Sequence, residues 1–438
     1  MKKLCLFLLF CLAIPSFSAD LHYSLISKES GKEGSTLLVI GGIHGDEPGG
    51  YFAPMLLARH YAIKSGTVWI VPNLNFDSIV KDVRGTYGDM SRKFAKIEKK
   101  DKDYEIITDI KKLMLDSKVD LTLNLHDGKG FYREKDINKD QNTKAWGQAT
   151  IIDQQRISGT KYGNLAEIAQ KVNKETNVEL YEDLHVFNLK NTNTKEKDKE
   201  MQQSLTYFSI QNKKPAFAIE TSKNITDLTQ KVFYQLKTIE EFMNIMNITY
   251  TRSFELNKES IAKLLDDAGM LEIPPTKITL NLSNIKPYIR FFPMEKDKLY
   301  YKSNNPLVAL IKNKDEYIVM NGNKAISKFK PDFVEFDNSL NSVSLKIDGV
   351  SQSLSMGSIF NVKKNFFIEP MDGYRINVIG YSKEGIHNES GISIEAKDLM
   401  KTHALDKQER TYMIQFYKDK KFCGMISAQF EGDIKAHK

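Results

Sequence analysis

Four short apolar runs dominate the first 250 residues: "TLLVIGG" (36–42), "TVWIVPN" (67–73), "VDLTLNLHD" (119–127) and "PAFAIET" (215–221). Each is too short for a helix and ends in glycine, proline or polar residues, so each reads as a buried strand. Helical patterns lie between and after them, at Tyr51 to Tyr61, Lys102 to Leu115, Tyr162 to Asn173 and Ile225 to Ile245. This alternation leaves few choices. It predicts an α/β domain over 19–250, with a mostly parallel or mixed sheet flanked by helices, and ligands gathered beyond the carboxyl ends of the strands.

That rim is where the reactive side chains fall. "GGIHGDEPGG" (41–50) places His44 and Glu47 directly after the first run. Alone, the pair fits a metal site or an ordinary polar turn equally well. His126 ends the third run and Glu220 ends the fourth, so four such groups converge on one rim. Two imidazoles and a carboxylate give zinc three protein ligands and leave a position open, as catalytic zinc requires. Glu220 is then free to act as a general base. The spacing is not that of HExxH. Gly41, Gly42 and Gly45 let the chain turn under a metal, and Pro48 marks the start of a helix.

The 438 residues exceed what one hydrophobic core usually serves, so further domains are expected after residue 250. "IPPTKITLNLSNIKPYIRFFP" and "NPLVALIKNKDEYIVMNGN" suggest a small β-rich domain over 251–330. Over 331–438 the alternation is cleaner, in "VSLKIDGV", "YRINVIGY", "TYMIQFYK" and "MISAQF". This suggests a β-sandwich of immunoglobulin-like shape. "NTNTKEKDKEM" (191–201) reads as a charged, mobile loop.

The first residues bear on location. "MKKLCLFLLFCLAIPSFSAD" has two lysines, an apolar run and small residues before a cleavage position after Ser18, the plan of a secretory signal peptide over 1–18. Export to the periplasm is expected. Cys5 and Cys11 leave with that segment, and Phe10 before Cys11 is a poor context for lipid attachment, so no membrane anchor is expected. Cys423 alone cannot form a bridge within the mature chain. The net charge of +7 is scattered among acids, and no nucleic-acid-binding module is present.

In order, "HGDE", "VPNLNFDSIVKDVRGTYGDMSRKF", "LHDG" and "AIET" resemble the zinc carboxypeptidase family, the M14 or funnelin group. The resemblance implies one catalytic Zn2+ on His44, Glu47 and His126, with Glu220 as general base and acid. It further implies that Arg84 stabilises the oxyanion and that Arg92 grips a substrate carboxylate. Such donors help rate when aimed at charge that appears only in the transition state, and a guanidinium suits bidentate carboxylate binding. Ser91 departs from the family, which has asparagine before that arginine. The motifs include no counterpart of the tyrosine that animal members place over the substrate, and Thr206 and Tyr207 are the proposed pocket-lining residues.

The whole-chain organisation is similar to the periplasmic D,L-carboxypeptidases that help set helical cell shape in Helicobacter and Campylobacter relatives. That narrower resemblance implies peptidoglycan muropeptides with tripeptide stems as substrates and meso-diaminopimelate as the released residue. Its charged ends call for polar partners, with Arg92, Thr206, the surroundings of Arg133 and the 191–201 segment as candidates. It also raises contacts between the β-rich domains and cell-shape proteins.

Rival readings are a desuccinylase or aminoacylase-like zinc amidohydrolase, a peptidoglycan endopeptidase, and an inactive wall-binding scaffold. Asp127 supports either His126 or the adjacent turn. Trp146 and Gln148 line the cleft or serve packing, while His185 and His403 read as structural or surface residues.

Overall fold

The computed structural model describes residues 21–296 and 299–432; the signal-peptide assignment at 1–18 lies outside them. A seven-stranded sheet organises the first region. In chain order its strands are β1 (Ile26–Glu29), β2 (Thr36–Ile40), β3 (Thr67–Val71), β4 (Val119–Gly128), β5 (Ala149–Ile152), β6 (Asn188–Asn191) and β7 (Ala216–Ser222). They lie side by side as β1-β3-β2-β4-β7-β5-β6. The β3, β2, β4 and β7 strands are mutually parallel, whereas β1 and β5 run against their neighbours β3 and β7. The four apolar runs are therefore the central strands. Their burial on both faces explains why they read as continuous runs.

The outer strands β1, β5 and β6 were not legible as strands. Segment β6 alternates poorly and is only half-buried, since it lies at the sheet edge. The helices follow the sequence pattern: α1 (Pro48–His60), α2 (Tyr104–Met114), α3 (Leu165–Thr176) and α4 (Leu228–Ile245). Helix α3 starts later than its pattern suggests. Tyr162 adopts a left-handed backbone with φ of 58°, which breaks the helix before Asn164. The charged 191–201 stretch is not simply a loop: it contains a helical turn at Thr194–Lys197, and Thr194 is buried.

Helix α1 presses its N-terminus onto the sheet. A Cβ on Gly50 would lie 2.7 Å from the Leu125 carbonyl oxygen, so only glycine permits that approach three residues after Glu47. The helix Lys258–Asp266 buries Ile261 in the same core.

Beyond it, a three-stranded sheet joins Met270–Ile273, Ile278–Asn281 and Lys302–Ser303. A four-stranded sheet is built from Tyr288–Met294, Lys324–Phe333, Glu316–Asn321 and Val308–Asn313. Its last hairpin rests on the first region. Asn73 donates to the Pro306 carbonyl at 2.8 Å, and Asn323 donates to Asp82 at 3.0 Å, two residues before Arg84.

Two further four-stranded sheets follow. One contains Ser342–Ile347 and Asn365–Ile368, the other Thr411–Lys418 and Lys421–Phe430. Leu345, Phe366, Ile376, Ile414, Phe416 and Ile426 share one core between them. Among the described residues, no helix is long and apolar enough to cross a membrane.

Candidate metal centre

The parallel strands bring the four rim residues together. His44 and Glu47 follow β2, His126 lies near the end of β4, and Glu220 stands in register with His126 on β7. Ligand atoms of His44, Glu47 and His126 lie within 4.8 Å of one another, and all three residues are buried. Both imidazoles turn Nδ1 toward Glu47: His126 Nδ1 at 2.8 Å from Oε2, His44 Nδ1 at 3.0 Å from Oε1. The His44 contact has no hydrogen-bond geometry, so Nδ1 is a buried nitrogen without a satisfied partner. Nitrogens and a carboxylate converging in this way fit a zinc ion, and the donor set is a catalytic one.

The opposite ring nitrogens are held from behind, as metal-ligating histidines require. His44 Nε2 lies 2.9 Å from Asp89 Oδ1, and His126 Nε2 lies 2.7 Å from the Asn124 side-chain amide. Asn124 Oδ1 is otherwise unpartnered. Turning that oxygen toward Nε2–H satisfies both groups and leaves Nδ1 free for a metal. Gln235 donates to the His126 carbonyl at 2.8 Å, tying α4 to the same strand.

Asp89 was missed in the sequence although it opens the "DMSRKF" stretch. Its Oδ1 also accepts from Ser91 Oγ at 2.7 Å, and its Oδ2 accepts from Arg84 Nε at 3.0 Å. Arg84 also donates from Nη1 to Glu47 at 3.2 Å. Asn124 was legible in principle, because strand period two puts it on the same face as His126. We expect Asp89→Asn to weaken zinc affinity roughly 10- to 100-fold, measured by competition with a chromophoric chelator; unchanged affinity would show that Asp89 only fixes the loop.

Charge follows this geometry. Burial alone would lower the His44 pKa, but the Glu47 and Asp89 carboxylates outweigh it and push it up to about 9. His126 goes the other way, because burial is the larger effect there. Glu47 resists burial: the two imidazoles keep its carboxyl well below the usual range. Burial and the nearby Glu47 raise Glu220 well above the usual range.

Asp127 sits beneath the ligands. It accepts from the Gly49 amide at 3.0 Å and from Thr221 Oγ1, with the buried Lys231 ammonium 3.4 Å away. It thus binds β4, β7, α1 and α4 at one point. Lys223 pairs with Asp46 at 2.6 Å and lies 3.6 Å from Glu47, a rim cation that the sequence did not single out.

The other sequence candidates are placed less uniformly. Arg92 Nη1 donates to Ser91 Oγ at 2.8 Å, and Nε donates to Glu200 at 3.1 Å, so Ser91 links Arg92 through Asp89 to His44. Thr206 is buried with its hydroxyl 3.2 Å from Ser204 Oγ, and Ser204 caps the Tyr207 amide. Neither Thr206 nor Tyr207 bonds to the metal-ligand network among the described residues. Arg133 is committed to the backbone: it donates to the carbonyls of Tyr132, Val186 and Leu184 at 2.8, 3.4 and 2.7 Å. His185 packs on Phe131 and bonds Tyr234 at 2.9 Å, a structural histidine. Gln148 clamps the His185 carbonyl at 2.6 Å.

Comparison with known proteins agrees with this geometry. The family described as "Carboxypeptidase controlling helical cell shape catalytic" matches residues 1–266, and "C-terminal domain of metallo-carboxypeptidase" matches residues 336–431. No curated protein matches. The apo structure of the cell shape determinant protein Csd4 from Helicobacter pylori is 40% identical with a TM-score of 0.88, covering 93% of this chain and 100% of that one. Tripeptide-bound Csd4 and its mDAP-bound form, the latter described as a D,L-carboxypeptidase, match with the same identity, coverage and TM-score. The chain therefore belongs to the M14-like Csd4 family of D,L-carboxypeptidases that control helical cell shape.

Proposed function

We propose that this protein is a zinc-dependent D,L-carboxypeptidase of the periplasm that hydrolyses the γ-D-glutamyl-meso-diaminopimelate bond of peptidoglycan stem tripeptides. The observation that carries the reading is the buried His44, Glu47 and His126 cluster with Glu220 in register beside it. The mDAP-bound and tripeptide-bound relatives support the substrate end.

Zinc bound at the cluster supplies Lewis-acid activation of water and of the scissile carbonyl. The chain's own residues do the rest. Glu220 takes a proton from the attacking water and returns it to the leaving amine. Its raised pKa reflects burial and a neighbouring carboxylate, and a cation at the cluster pulls it back toward the ionised form a base needs. Arg84, half-exposed and braced by Asp89, presents a guanidinium to the developing oxyanion. Arg92, backed by Ser91, receives the terminal carboxylate, which competes with Glu200 for its donors.

Every residue in this proposal lies between positions 44 and 220. We assign 19–250 to catalysis, 251–330 to a small β-rich domain and 331–438 to an immunoglobulin-like sandwich. A core confined to residues 340–430 supports the last division, while the other two cores cross the borders, the first taking in Ile261, Leu307 and Met320 and the second Leu405, Met413 and Phe422. The β-rich domains are then free to hold the enzyme on the sacculus or to contact cell-shape proteins.

Zinc-loaded protein incubated with defined muropeptides, followed by mass spectrometry, tests the reading. Release of one diaminopimelate from a tripeptide is the expected result. Cleavage only of longer stems or of acylated amino acids would reassign the enzyme to an endopeptidase or amidohydrolase.

A further inference from the structure

Next to Glu220 the sheet carries a second charged group that the proposed mechanism does not use. The register aligns Ala218 with Ile151 on β5, and Ile151 with Lys190 on β6. Residues paired in this way share a face, and so do residues two apart on a strand. Glu220 and Lys190 therefore stand on the same side of the sheet, with Ala149, Ile151 and Ala218 between them. Their Cα atoms are about 12 Å apart by strand geometry.

Tyr132 and Trp146 cover that small apolar floor. Trp146 reaches back to the catalytic rim. A Cβ on Gly128 would lie 2.6 Å from Trp146 Cβ and 2.8 Å from Glu220 Oε2, so Gly128 leaves the room in which both side chains sit. Lys190 Nζ lies 4.1 Å from the Trp146 ring centre and 4.8 Å from that of Tyr132. It donates to the Ala145 carbonyl at 2.6 Å and to that of Thr143 at 3.4 Å. Two of three N–H donors are thus used on neutral oxygens. No carboxylate lies within ion-pair distance of Lys190 among the described residues, although it is half-buried. Burial brings its pKa down to about 8, against the fields of Glu220 and Asp198.

An ammonium held on two aromatic faces, short of a counter-ion and on the same sheet face as the proposed base two strands away, is a site for an anion. We propose that Lys190, on the Tyr132 and Trp146 ledge, binds the second carboxylate of the residue being released and so selects a dicarboxylic terminal residue over a monocarboxylic one. Arg92 takes the carboxylate next to the scissile bond, the apolar ledge accommodates the methylene chain, and Lys190 meets its far end. This deepens the carboxypeptidase reading and rests on it.

The test compares two tripeptides, one ending in meso-diaminopimelate and one ending in L-lysine, which lacks only the distal carboxylate. Steady-state constants are measured for zinc-loaded wild type, Lys190→Met and Lys190→Arg, each checked for zinc content and melting temperature. Wild type is expected to favour the diaminopimelate peptide, mainly through KM. Lys190→Met should reduce that preference in kcat/KM by roughly 10- to 100-fold, the worth of a hydrogen bond to a charged group, and Lys190→Arg should keep most of it. A loss shared equally by both peptides would overturn the proposal, because it would mean that Lys190 tunes Glu220 or serves packing. Calorimetry on wild type gives an answer that does not depend on a folded variant: free diaminopimelate should bind at least about tenfold more tightly than lysine, and equal affinity would overturn the proposal. Wild type that cleaves neither peptide would instead defeat the carboxypeptidase reading itself.

Discussion

Glu220→Gln is expected to retain zinc and to lose about 10²- to 10⁴-fold in kcat on the tripeptide, with little change in KM. The amide keeps the size of the side chain but cannot accept and return a proton. Position makes the effect large. Glu220 is fixed by the β7 ladder opposite His126, and its carboxylate makes no hydrogen bond to another described residue. No neighbouring group is therefore committed to holding it in a structural role. Zinc content by elemental analysis and product release by mass spectrometry check the two halves separately. Retained turnover would remove Glu220 from the mechanism, whereas lost zinc would make it part of the metal site.

Removing the metal is expected to abolish turnover and to lower the melting temperature, with both restored by zinc. A ligand that binds only the folded chain stabilises it by roughly 4 kcal/mol at a thousandfold excess over its Kd. The size of the shift should depend on pH. With the metal absent, His44 keeps its proton up to about 9, above its ordinary value of 6.5. That raised pKa stabilises the metal-free fold fully below about 6.5, and the contribution is lost as pH rises through 9. Zinc must displace the same proton, so its affinity rises with pH across that window. Thermal melts with and without zinc at pH 6 and pH 8 should show the larger metal-dependent increase at pH 8. His126→Ala should abolish the increase at both values, and a persistent shift would place the metal elsewhere.

Much of this site is legible in the sequence alone. A strand buried on both faces must be written as an unbroken apolar run, and a polar residue at its carboxyl end has only the rim to occupy. That reasoning placed His44, Glu47, His126 and Glu220 together, and the structure brings them together. The same logic fails at edges. Segments β1 and β6 have only partial burial, so their sequences carry little pattern. Arg133 also shows the limit. Its charge suggested a substrate contact, yet the guanidinium donates to the backbone carbonyls of Tyr132, Val186 and Leu184.

The sequence by itself determined the α/β class, the central strands and the identity of the rim chemistry, because burial and period are local properties of the chain. Tertiary structure alone decided what supports and surrounds that chemistry. Asp89 meets His44 across 45 positions, Lys231 meets Asp127 across 104, and Lys190 comes to lie beside Trp146 only because β6 pairs with β5. Such partners are set by which strands become neighbours and which polar atoms are left unmatched, and no local pattern encodes either.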